Sequence, residues 1–377
     1  MLNLGVIGFG NRAMDVVDKL IKTGEVRVAA VTDIRNDEIR VQLEDKGFSN
    51  VHFYTDADRM MTEETLDGVL IGTRCSLHTH FALTVAKYGI PMFLEKPVST
   101  SDEDLARLET LLEEMNEKIV VSFPLRLSLL CRKVKEIVES GKLGRIEHVQ
   151  AYNNVPYGRG YYHKWYRDGG ETGGQFLQKA THDLDYINYL LGGNRPVRIC
   201  AMKSHQIFKG NLPETQKCSA CDKIDVCPES PKNLMKTNGG GVRGDLCCFS
   251  EAVTIEDSGS CIVEYESGMH VVYSQDFIVR NGAGKRGARL IGYYGTLEFD
   301  WVTSKITVYH HLEQLKEEYS FGQTGGHFGG DSMLADNFVG VMKGNEKSLS
   351  PLAEGILSAR LCLAARKSAE KHVFVEL

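Results

Sequence analysis

Apolar residues in the first third of the chain fall into short dense runs separated by longer segments of helical spacing. The dense runs, rich in Val, Ile, Leu and Phe, are residues 2–7, 26–33, 66–71, 90–94 and 119–123. Such runs are typical of strands buried on both faces of a parallel sheet. The segments between them include amphipathic helical patterns at residues 14–21, 79–88 and 101–116. This alternation predicts an α/β domain at residues 1–123 with a doubly wound parallel sheet.

The rest of the chain has a different pattern, in which polar and apolar residues alternate with a period of two. Residues 146–152, 261–265 and 270–273 alternate in this way, as expected for strands with one buried face. Because these strands follow one another without intervening helices, we expect antiparallel pairing. Residues 124–377 are therefore predicted to form a second, α+β domain.

The length and charge of the chain limit the kinds of function that are expected. A chain of 377 residues is long enough for two domains, and its net charge of −6 includes no basic block, which argues against a nucleic-acid or membrane-surface partner and favours a small-molecule substrate. The start of the chain has no basic region or cleavage site, and no apolar run reaches spanning length, so we expect a cytoplasmic protein.

The first predicted strand runs into a glycine-rich turn followed by a helical pattern. Gly8, Gly10 and Ala13 form a G-x-G-x-x-A arrangement, in which the first glycine permits a tight turn, the second lets a pyrophosphate approach, and the small third residue allows close packing. The exposed N–H groups of the helix start favour a diphosphate. The loop residues predicted to bind a dinucleotide are Gly8, Phe9, Gly10, Asn11 and Arg12.

The second predicted strand ends in an acid at the distance expected for a dinucleotide site. Asp33 follows the strand at 26–32, and a carboxylate there binds both ribose hydroxyls of NAD and repels the 2′-phosphate of NADP. Arg35 lies two residues further on and is able to accommodate that phosphate. The sequence therefore predicts NAD, with NADP as the alternative.

The run at residues 90–94 ends abruptly in Glu95-Lys96-Pro97. Proline cannot continue a strand and restrains the residue before it to an extended conformation. Lys96 is thus expected at the carboxyl end of a parallel strand, the edge at which ligands bind in open α/β sheets. The sequence predicts a catalytic ammonium group at Lys96, with a solvated surface lysine as the alternative.

These motifs together resemble the Gfo/Idh/MocA family of oxidoreductases. The resemblance rests on the glycine loop, the segment from Thr73 to His78 and, above all, Glu95-Lys96-Pro97. It implies an N-terminal Rossmann domain that binds a nicotinamide cofactor, with Thr73, His78, Glu95 and Lys96 near that cofactor. It also implies an open-faced, mostly antiparallel sheet in the second domain, through which such proteins form homodimers or homotetramers.

A second motif of the family is matched only in part. Gly173-Gly174 precede a helical pattern in which Gln178, His182 and Asp185 are spaced i, i+4, i+7 and share one face of a regular helix. The family has an aspartate four residues before the histidine, and here that residue is Gln178. Histidine has a pKa suited to accepting a hydroxyl proton, so His182 is the predicted base. Gln178 can orient a substrate but cannot accept a proton.

Four further residues are candidate substrate contacts. Trp165 and Arg167 lie in an aromatic, donor-rich segment suited to the faces and hydroxyl edges of a sugar. Lys179 is a weaker candidate, because it points away from Gln178 and His182 on a regular helix. His327 lies in a glycine-rich loop before Asp331, which we expect to be a helix N-cap.

A polar insertion at about residues 205–250 contains a group of cysteines. Cys218, Cys221, Cys227 and Cys247 could bind a structural zinc, with free thiols as the plainer alternative. The x5 spacing between the second and third cysteines differs from a repeated C-x2-C pair, which weakens the zinc interpretation.

The sequence therefore predicts an NAD(P)-dependent dehydrogenase that oxidises a secondary hydroxyl of a sugar, cyclitol or related polyol. Two alternatives use the same scaffold. The first is an NAD-dependent glycosidase that oxidises a sugar transiently, eliminates the leaving group and returns the hydride. The second is a non-catalytic sensor that binds the cofactor, which the glutamine at position 178 makes conceivable.

Overall fold

The computed structural model describes residues 1–48, 50–238, 244–322 and 326–377 of the chain. They form two compact units, Met1–Leu129 with Thr324–Arg360, and Leu130–Gln323 with Leu361–Leu377. The first unit thus takes in a later segment of the chain, beyond the predicted domain boundary at residue 123. The cysteine-bearing insertion lies in the second unit, and its residues 239–243 lie outside the described residues.

The first unit is built on a six-stranded parallel sheet. Its strands are β1 (Leu2–Ile7), β2 (Val26–Thr32), β3 (His52–Tyr54), β4 (Gly68–Ile71), β5 (Met92–Leu94) and β6 (Ile119–Val121). They lie in the order β3-β2-β1-β4-β5-β6, which confirms the doubly wound sheet. The strand order reverses between β1 and β4, and ligands of such sheets bind beyond the carboxyl ends of the strands at this switch point.

Helices cover this sheet and also occur in the second unit. In chain order they are α1 (Asn11–Lys22), α2 (Asn36–Asp45), α3 (Ala57–Glu63), α4 (His78–Ala86), α5 (Asp102–Glu109), α6 (Leu112–Met115), α7 (Leu129–Glu139), α8 (Arg159–Tyr162), α9 (Gly169–Thr172), α10 (Thr181–Leu191), α11 (Pro231–Asn238), α12 (Gly330–Met342) and α13 (Leu352–Lys371). Within the described part of the chain, none of them is both long and apolar enough to cross a membrane.

The helix predicted at residues 101–116 is interrupted. Ser101 caps α5 by accepting a hydrogen bond from the Asp104 amide at 3.2 Å, but α5 ends at Glu109 and α6 begins at Leu112. At the break, the Thr110 hydroxyl donates to the Arg107 carbonyl at 2.7 Å. A threonine side chain that bonds the backbone in this way competes with continuation of the helix, which a pattern of apolar spacing does not reveal.

The second unit contains a nine-stranded sheet. Its strands are β7 (Ile146–Asn154), β8 (Pro196–Ser204), β9 (Ser258–Tyr265), β10 (His270–Asp276), β11 (Lys285–Gly292), β12 (Gly295–Asp300), β13 (Lys305–His310), β14 (Lys316–Ser320) and β15 (Val375–Glu376). They lie in the order β14-β13-β12-β11-β7-β10-β9-β8-β15. Only the pair β7–β10 is parallel among these neighbours, so the prediction of a mostly antiparallel sheet is confirmed.

Candidate functional site

The glycine loop between β1 and α1 has the backbone geometry that a dinucleotide site requires. Gly8 has a φ of +80°, and a Cβ there would lie 2.7 Å from the backbone nitrogen of Thr73. Only glycine tolerates both conditions. Gly10 is different, because its nearest neighbour to an added Cβ is the Gly72 carbonyl oxygen at 4.0 Å. The space beside Gly10 is therefore open to a ligand.

The start of α1 completes a cradle for a diphosphate. Gly10 is the N-cap residue, and no side chain caps the helix. The first N–H groups of a helix, together with its dipole, attract a phosphate at such a position. Ala13 is fully buried, and its Cβ would be 2.8 Å from a Cβ added to Gly72, so a small residue is needed here. These features fit a dinucleotide cofactor.

Asp33 is held firmly at the carboxyl end of β2. Its carboxylate accepts hydrogen bonds from the backbone amides of Phe9 at 2.7 Å and Arg35 at 2.8 Å, and the Arg35 guanidinium lies 3.3 Å away. An open cavity of about 660 Å³ adjoins this carboxylate, with Ile34 and Phe53 among its lining residues. Ile34 is fully exposed. The cavity lies where the adenosine half of a dinucleotide would be expected to bind.

Arg12 connects this loop to three other segments of the same unit. Its guanidinium donates to Glu95 Oε1 at 2.9 Å, to Ser122 Oγ at 2.9 Å and to Asp331 Oδ1 at 2.7 Å. Glu95 directly precedes Lys96 after β5, and Asp331 lies in the first turn of α12. Burial opposes the charge on Arg12, but the two carboxylates raise its pKa above the ordinary value. Arg12 thus positions the backbone that carries Lys96.

Asp331 is not the N-cap that the sequence suggested. Gly329 occupies the N-cap position of α12, with a φ of +84°. The second carboxylate oxygen of Asp331 lies 2.8 Å from His327 Nδ1. Burial alone would raise the pKa of Asp331, but the hydrogen bond from His327 and the charge of Arg12 hold it well below the ordinary range. His327 therefore lies beside the Arg12 network.

Lys96 follows β5 at the carboxyl edge of the parallel sheet and is half-buried. The loop that contains it is fastened by His78 at the start of α4, whose Nδ1 lies 2.7 Å from the Pro97 carbonyl and whose Nε2 lies 3.3 Å from the Thr73 carbonyl. Burial lowers the pKa of His78. His78 thus joins the loops that follow β4 and β5.

In the second unit, the segment before α10 is not the regular helix that was predicted. Gly173 and Gly174 both have positive φ angles, and a π-helical turn spans Phe176–Ala180. Such turns change the direction of successive side chains and often mark functional sites. The shared face of Gln178 and His182 that regular spacing implied therefore does not follow from this backbone. Both residues are buried, each about 6 % exposed.

The residue after His182 is the centre of a buried polar network. Asp183 accepts hydrogen bonds from Asn153 Nδ2 at 2.8 Å and from the Tyr273 hydroxyl at 2.9 Å. Its other oxygen accepts from Arg286 Nε at 2.8 Å. These partners lie on β7, β10 and β11, so the network fastens α10 to three adjacent strands.

Lys179, in the π-helical turn, lies among tyrosines. Its Nζ is 3.4 Å from the Tyr157 hydroxyl, 5.0 Å from the centre of the Tyr157 ring and 4.8 Å from the centre of the Tyr161 ring. Lys179 is about 9 % exposed, whereas Tyr157 is 59 % exposed. Tyr157 is thus the accessible partner of a buried cation.

Trp165 and Arg167, the two other predicted substrate contacts in the second unit, have different surroundings. Trp165 stacks on Tyr166, with ring centres 3.9 Å apart. Arg167 is about 3 % exposed, and it donates to the carbonyls of Cys247 at 3.1 Å and Glu214 at 2.7 Å. These bonds make Arg167 a link between this segment and the insertion.

Among the described residues, the structure does not support a metal site at the cysteines of the insertion. Within the described residues, no group of three or more His, Cys, Asp or Glu side chains is arranged to hold a metal ion. Two of the thiols have polar backbone neighbours: Cys218 Sγ lies 3.8 Å from the Leu246 carbonyl, and Cys247 Sγ accepts from the Phe249 amide at 3.4 Å. Burial raises the pKa of the Cys218 thiol to about 12. The zinc prediction for Cys218, Cys221, Cys227 and Cys247 is therefore not supported.

Sequence reasoning missed three residues that organise these sites. Asp331 and Ser122 hold Arg12, and Asp183 holds α10. Asp183 offered a weak signal, because it is an acid directly beside His182, the predicted base. Asp331 offered none, since it lies 319 residues from its partner.

Two family models match the chain. Residues 2–123 match the model described as "Oxidoreductase family, NAD-binding Rossmann fold". Residues 131–298 match the model described as "GFO/IDH/MocA C-terminal domain".

The chain is also similar to individual oxidoreductases. YteT of Bacillus subtilis, described as an oxidoreductase, is 28 % identical over 323 residues, which are 75 % of this chain and 74 % of that protein. The myo-inositol 2-dehydrogenase of Thermotoga maritima is 26 % identical over 196 residues, 51 % of this chain and 55 % of that enzyme. The structure of a levoglucosan dehydrogenase in complex with NADH and levoglucosan has a TM-score of 0.76 and 18 % identity, covering 100 % of this chain and 99 % of that one. That last likeness concerns the fold.

Proposed function

Because this chain belongs to the Gfo/Idh/MocA family of NAD(P)-dependent oxidoreductases, we propose that it is an NAD-dependent dehydrogenase acting on a secondary hydroxyl of a sugar, cyclitol or related polyol. One observation carries most weight. The open cradle at Gly10 and the segment that carries Lys96 are tied together by Arg12. The proposed cofactor site and the segment that carries Lys96 are thus connected at one edge of the parallel sheet, which supports the proposal.

The cofactor would be held by residues of the first unit. The backbone from Gly8 to Arg12 would bind the diphosphate at the start of α1, and Asp33 would accept hydrogen bonds from the adenosine ribose. Asp33 favours NAD, whereas Arg35, beside it, keeps NADP binding open to test. When bound, the nicotinamide accepts or returns a hydride.

In this proposal, side chains of the protein accept the hydroxyl proton and stabilise the negative charge on the reacting oxygen. The Lys96 ammonium stabilises the negative charge that develops on the reacting oxygen, and His182 accepts the hydroxyl proton. Gln178 orients the substrate by hydrogen bonds, since an amide does not ionise. Trp165 offers an apolar surface to a ring of carbons, and His327 is a further candidate contact at the Arg12 network.

Homologues support the substrate class. The myo-inositol 2-dehydrogenase acts, by its name, on a cyclitol, and the levoglucosan complex holds a sugar derivative. We further propose a cytoplasmic homodimer or homotetramer that associates through the antiparallel sheet. In support, Met202 and Ile262 on neighbouring strands are 73 % and 48 % exposed, and large exposed apolar side chains of this kind are typical of interfaces.

A second candidate function is favoured by Gln178, which replaces the aspartate of the family motif. An NAD-dependent glycosidase oxidises a sugar hydroxyl transiently, eliminates the leaving group and returns the hydride. Such an enzyme releases product without net formation of NADH. A sensor, the third alternative, would bind cofactor without turnover.

One assay separates these functions. Purified protein with NAD is offered a panel of free polyols and, separately, aryl glycosides, while NADH absorbance and leaving-group release are followed together. Stoichiometric NADH from a free polyol supports the dehydrogenase. Leaving-group release without NADH would identify the glycosidase, and binding of NAD with no turnover of either panel would identify the sensor.

A further inference from the structure

The mechanism proposed above leaves one buried acid without a role. Glu256 lies between the cysteine-bearing insertion and β9 and is about 6 % exposed. Burying a carboxyl group is costly unless it is hydrogen-bonded. Its Oε1 accepts a hydrogen bond from the backbone amide of Phe176 at 2.9 Å. Phe176 is the first residue of the π-helical turn, so the buried acid is bound where that turn begins.

Two glycines before the turn leave room for this contact. A Cβ on Gly174 would lie 2.9 Å from Oε2 of Glu256, and the backbone there has a φ of +91°. A Cβ on Gly173 would lie 2.2 Å from Cδ1 of Leu177, within the turn. The glycine pair that the sequence indicated as part of a family motif thus allows Glu256 to approach the turn.

The side chain of Phe176 is held by the same segment of the chain as its amide. A Cβ on Gly259, near the start of β9, would lie 2.9 Å from Cζ of the Phe176 ring, and Phe176 is about 1 % exposed. The Gln178 amide then donates to the Gly174 carbonyl at 3.0 Å. Residues 256–259 therefore fix both the amide and the ring of the residue at which the π-helical turn begins.

The next acid along the chain makes the same kind of contact with a different segment. Asp257 is about 2 % exposed, and its carboxylate accepts from the backbone amides of Ile207 at 2.6 Å and Phe208 at 3.0 Å. These amides belong to the start of the insertion. Glu256 and Asp257 thus form a pair of buried acids that bind backbone amides, one at the π-helical turn and one at the insertion.

We propose that Glu256 is a positioning residue for the dehydrogenase reaction. By holding the Phe176 amide it maintains the π-helical turn, which directs Gln178 and leads into α10, where His182 is the second residue. The proposal rests on the function proposed above, because Glu256 acts through the predicted base. A π-helical turn holds more residues per turn than an α-helix, so its loss would rotate these side chains. A displacement of about 1 Å costs about 100-fold in rate.

The first experiment separates the position of the acceptor from its charge, using the polyol with the highest kcat/KM in the panel. Glu256→Asp keeps the carboxyl group but withdraws it from Phe176 by one methylene. We expect kcat to fall about 10- to 100-fold, with a smaller change in KM. Glu256→Gln keeps an acceptor oxygen at full reach, and its kcat should stay within about threefold of the wild type. A kcat in Glu256→Asp equal to that of the wild type would overturn the proposal, as would equal losses in both variants.

The matched control is Asp257→Ala, with Asp257→Asn in its place if the alanine variant does not fold. It removes acceptors from the insertion and should lower the midpoint of denaturant unfolding at least as much as Glu256→Asp does. Its kcat should stay within about twofold of the wild type. If Asp257→Ala loses as much kcat as Glu256→Asp, the effect is a general loss of structure, and the positioning role is overturned while the dehydrogenase function stands.

A second experiment needs no substrate. Amide hydrogen exchange is followed in the wild type and the same variants. In Glu256→Asp, exchange at residues 176–180 should rise about 10- to 100-fold, because a hydrogen bond to a charged group is lost. In Asp257→Ala, the rise should be at residues 206–208 instead. Unchanged exchange at residues 176–180 in Glu256→Asp would overturn the positioning role whatever the activity. A rise there in a protein that oxidises no polyol would confirm the contact and refute the reaction that it is proposed to serve.

Discussion

Arg12 in the first unit and Lys179 in the second are both largely enclosed cations, but their partners differ in kind. Arg12 donates to two carboxylates and a hydroxyl within 2.9 Å. Lys179 contacts the rings and a hydroxyl of tyrosines. A carboxylate neutralises a cation and holds it in one position, so such a pair fixes the relative positions of the segments that it joins. A neutral tyrosine leaves part of the positive charge of Lys179 uncompensated. The hydroxyl of Tyr157, which contacts this charge, belongs to an exposed side chain.

The largest effect should come from the residue that the Arg12 network positions. Lys96→Ala should lower kcat by about 10³-fold, because the charge that stabilises the reacting oxygen is lost. The dissociation constant of NAD, measured by fluorescence titration, should change far less. Lys87→Ala is the matched control, because that side chain is 65 % exposed in the same unit. Unchanged turnover in Lys96→Ala would show that the first unit contributes cofactor binding alone.

The next largest effect should be on stability. Arg12→Gln leaves the buried Asp331 and Glu95 carboxylates without their cation, which should lower the free energy of unfolding by about 3 kcal/mol. Denaturant unfolding measures this change. Arg59→Gln, which breaks an exposed pair with Glu63, should cost less than about 1 kcal/mol. Equal effects of the two variants would mean that the Arg12 network does not fix the geometry.

The same variant has a pH signature. The pKa of Asp331 is lowered in the folded protein, so its contribution to stability is fully present above its unfolded value of about 3.9 and is lost as the pH falls below that value. Arg12→Gln lacks the part of this contribution that comes from the charge of Arg12. The difference in stability between wild type and variant should therefore shrink as the pH falls below about 4 and towards the lowered pKa of Asp331 in the folded protein.

A smaller effect is expected where a carboxylate faces the cofactor directly. Asp33→Ala should weaken NAD binding about tenfold, since a hydrogen-bonded charged partner of the ribose is lost. Asp37→Ala, which changes an acid lining the same cavity, should change affinity less than about twofold. Affinity for NADP should fall less than affinity for NAD in Asp33→Ala, because Arg35 remains. Equal NAD affinity in wild type and Asp33→Ala would show that the ribose assignment is wrong.

The smallest stability effect should come from Lys179→Met, which completes the comparison with Arg12. Removing a buried ammonium relieves its desolvation and sacrifices its cation–π contacts, and we expect a net change of less than about 1 kcal/mol by denaturant unfolding. A loss as large as that of Arg12→Gln would place the Lys179 cluster among the structural networks and would weaken its assignment to substrate binding.

The sequence by itself determined the features that depend on near neighbours along the chain. The strand at residues 2–7, the positive φ of Gly8 and the start of α1 follow from a local succession of apolar, glycine and helical residues. The position of Lys96 after β5 follows from the apolar run and the proline beyond it. The alternation in the second unit likewise predicted its antiparallel sheet.

Tertiary structure alone decided which charges meet and how the backbone turns where local signals compete. Arg12 gains Asp331 from 319 residues away, and Asp183 gains partners on three strands. The π-helical turn at Phe176–Ala180 places Lys179 against Tyr157, where regular helical spacing had pointed it elsewhere. Periodicity encodes which side of an element is buried, but a hydrogen bond or an ion pair requires two groups within about 3 Å. That distance exists only after folding.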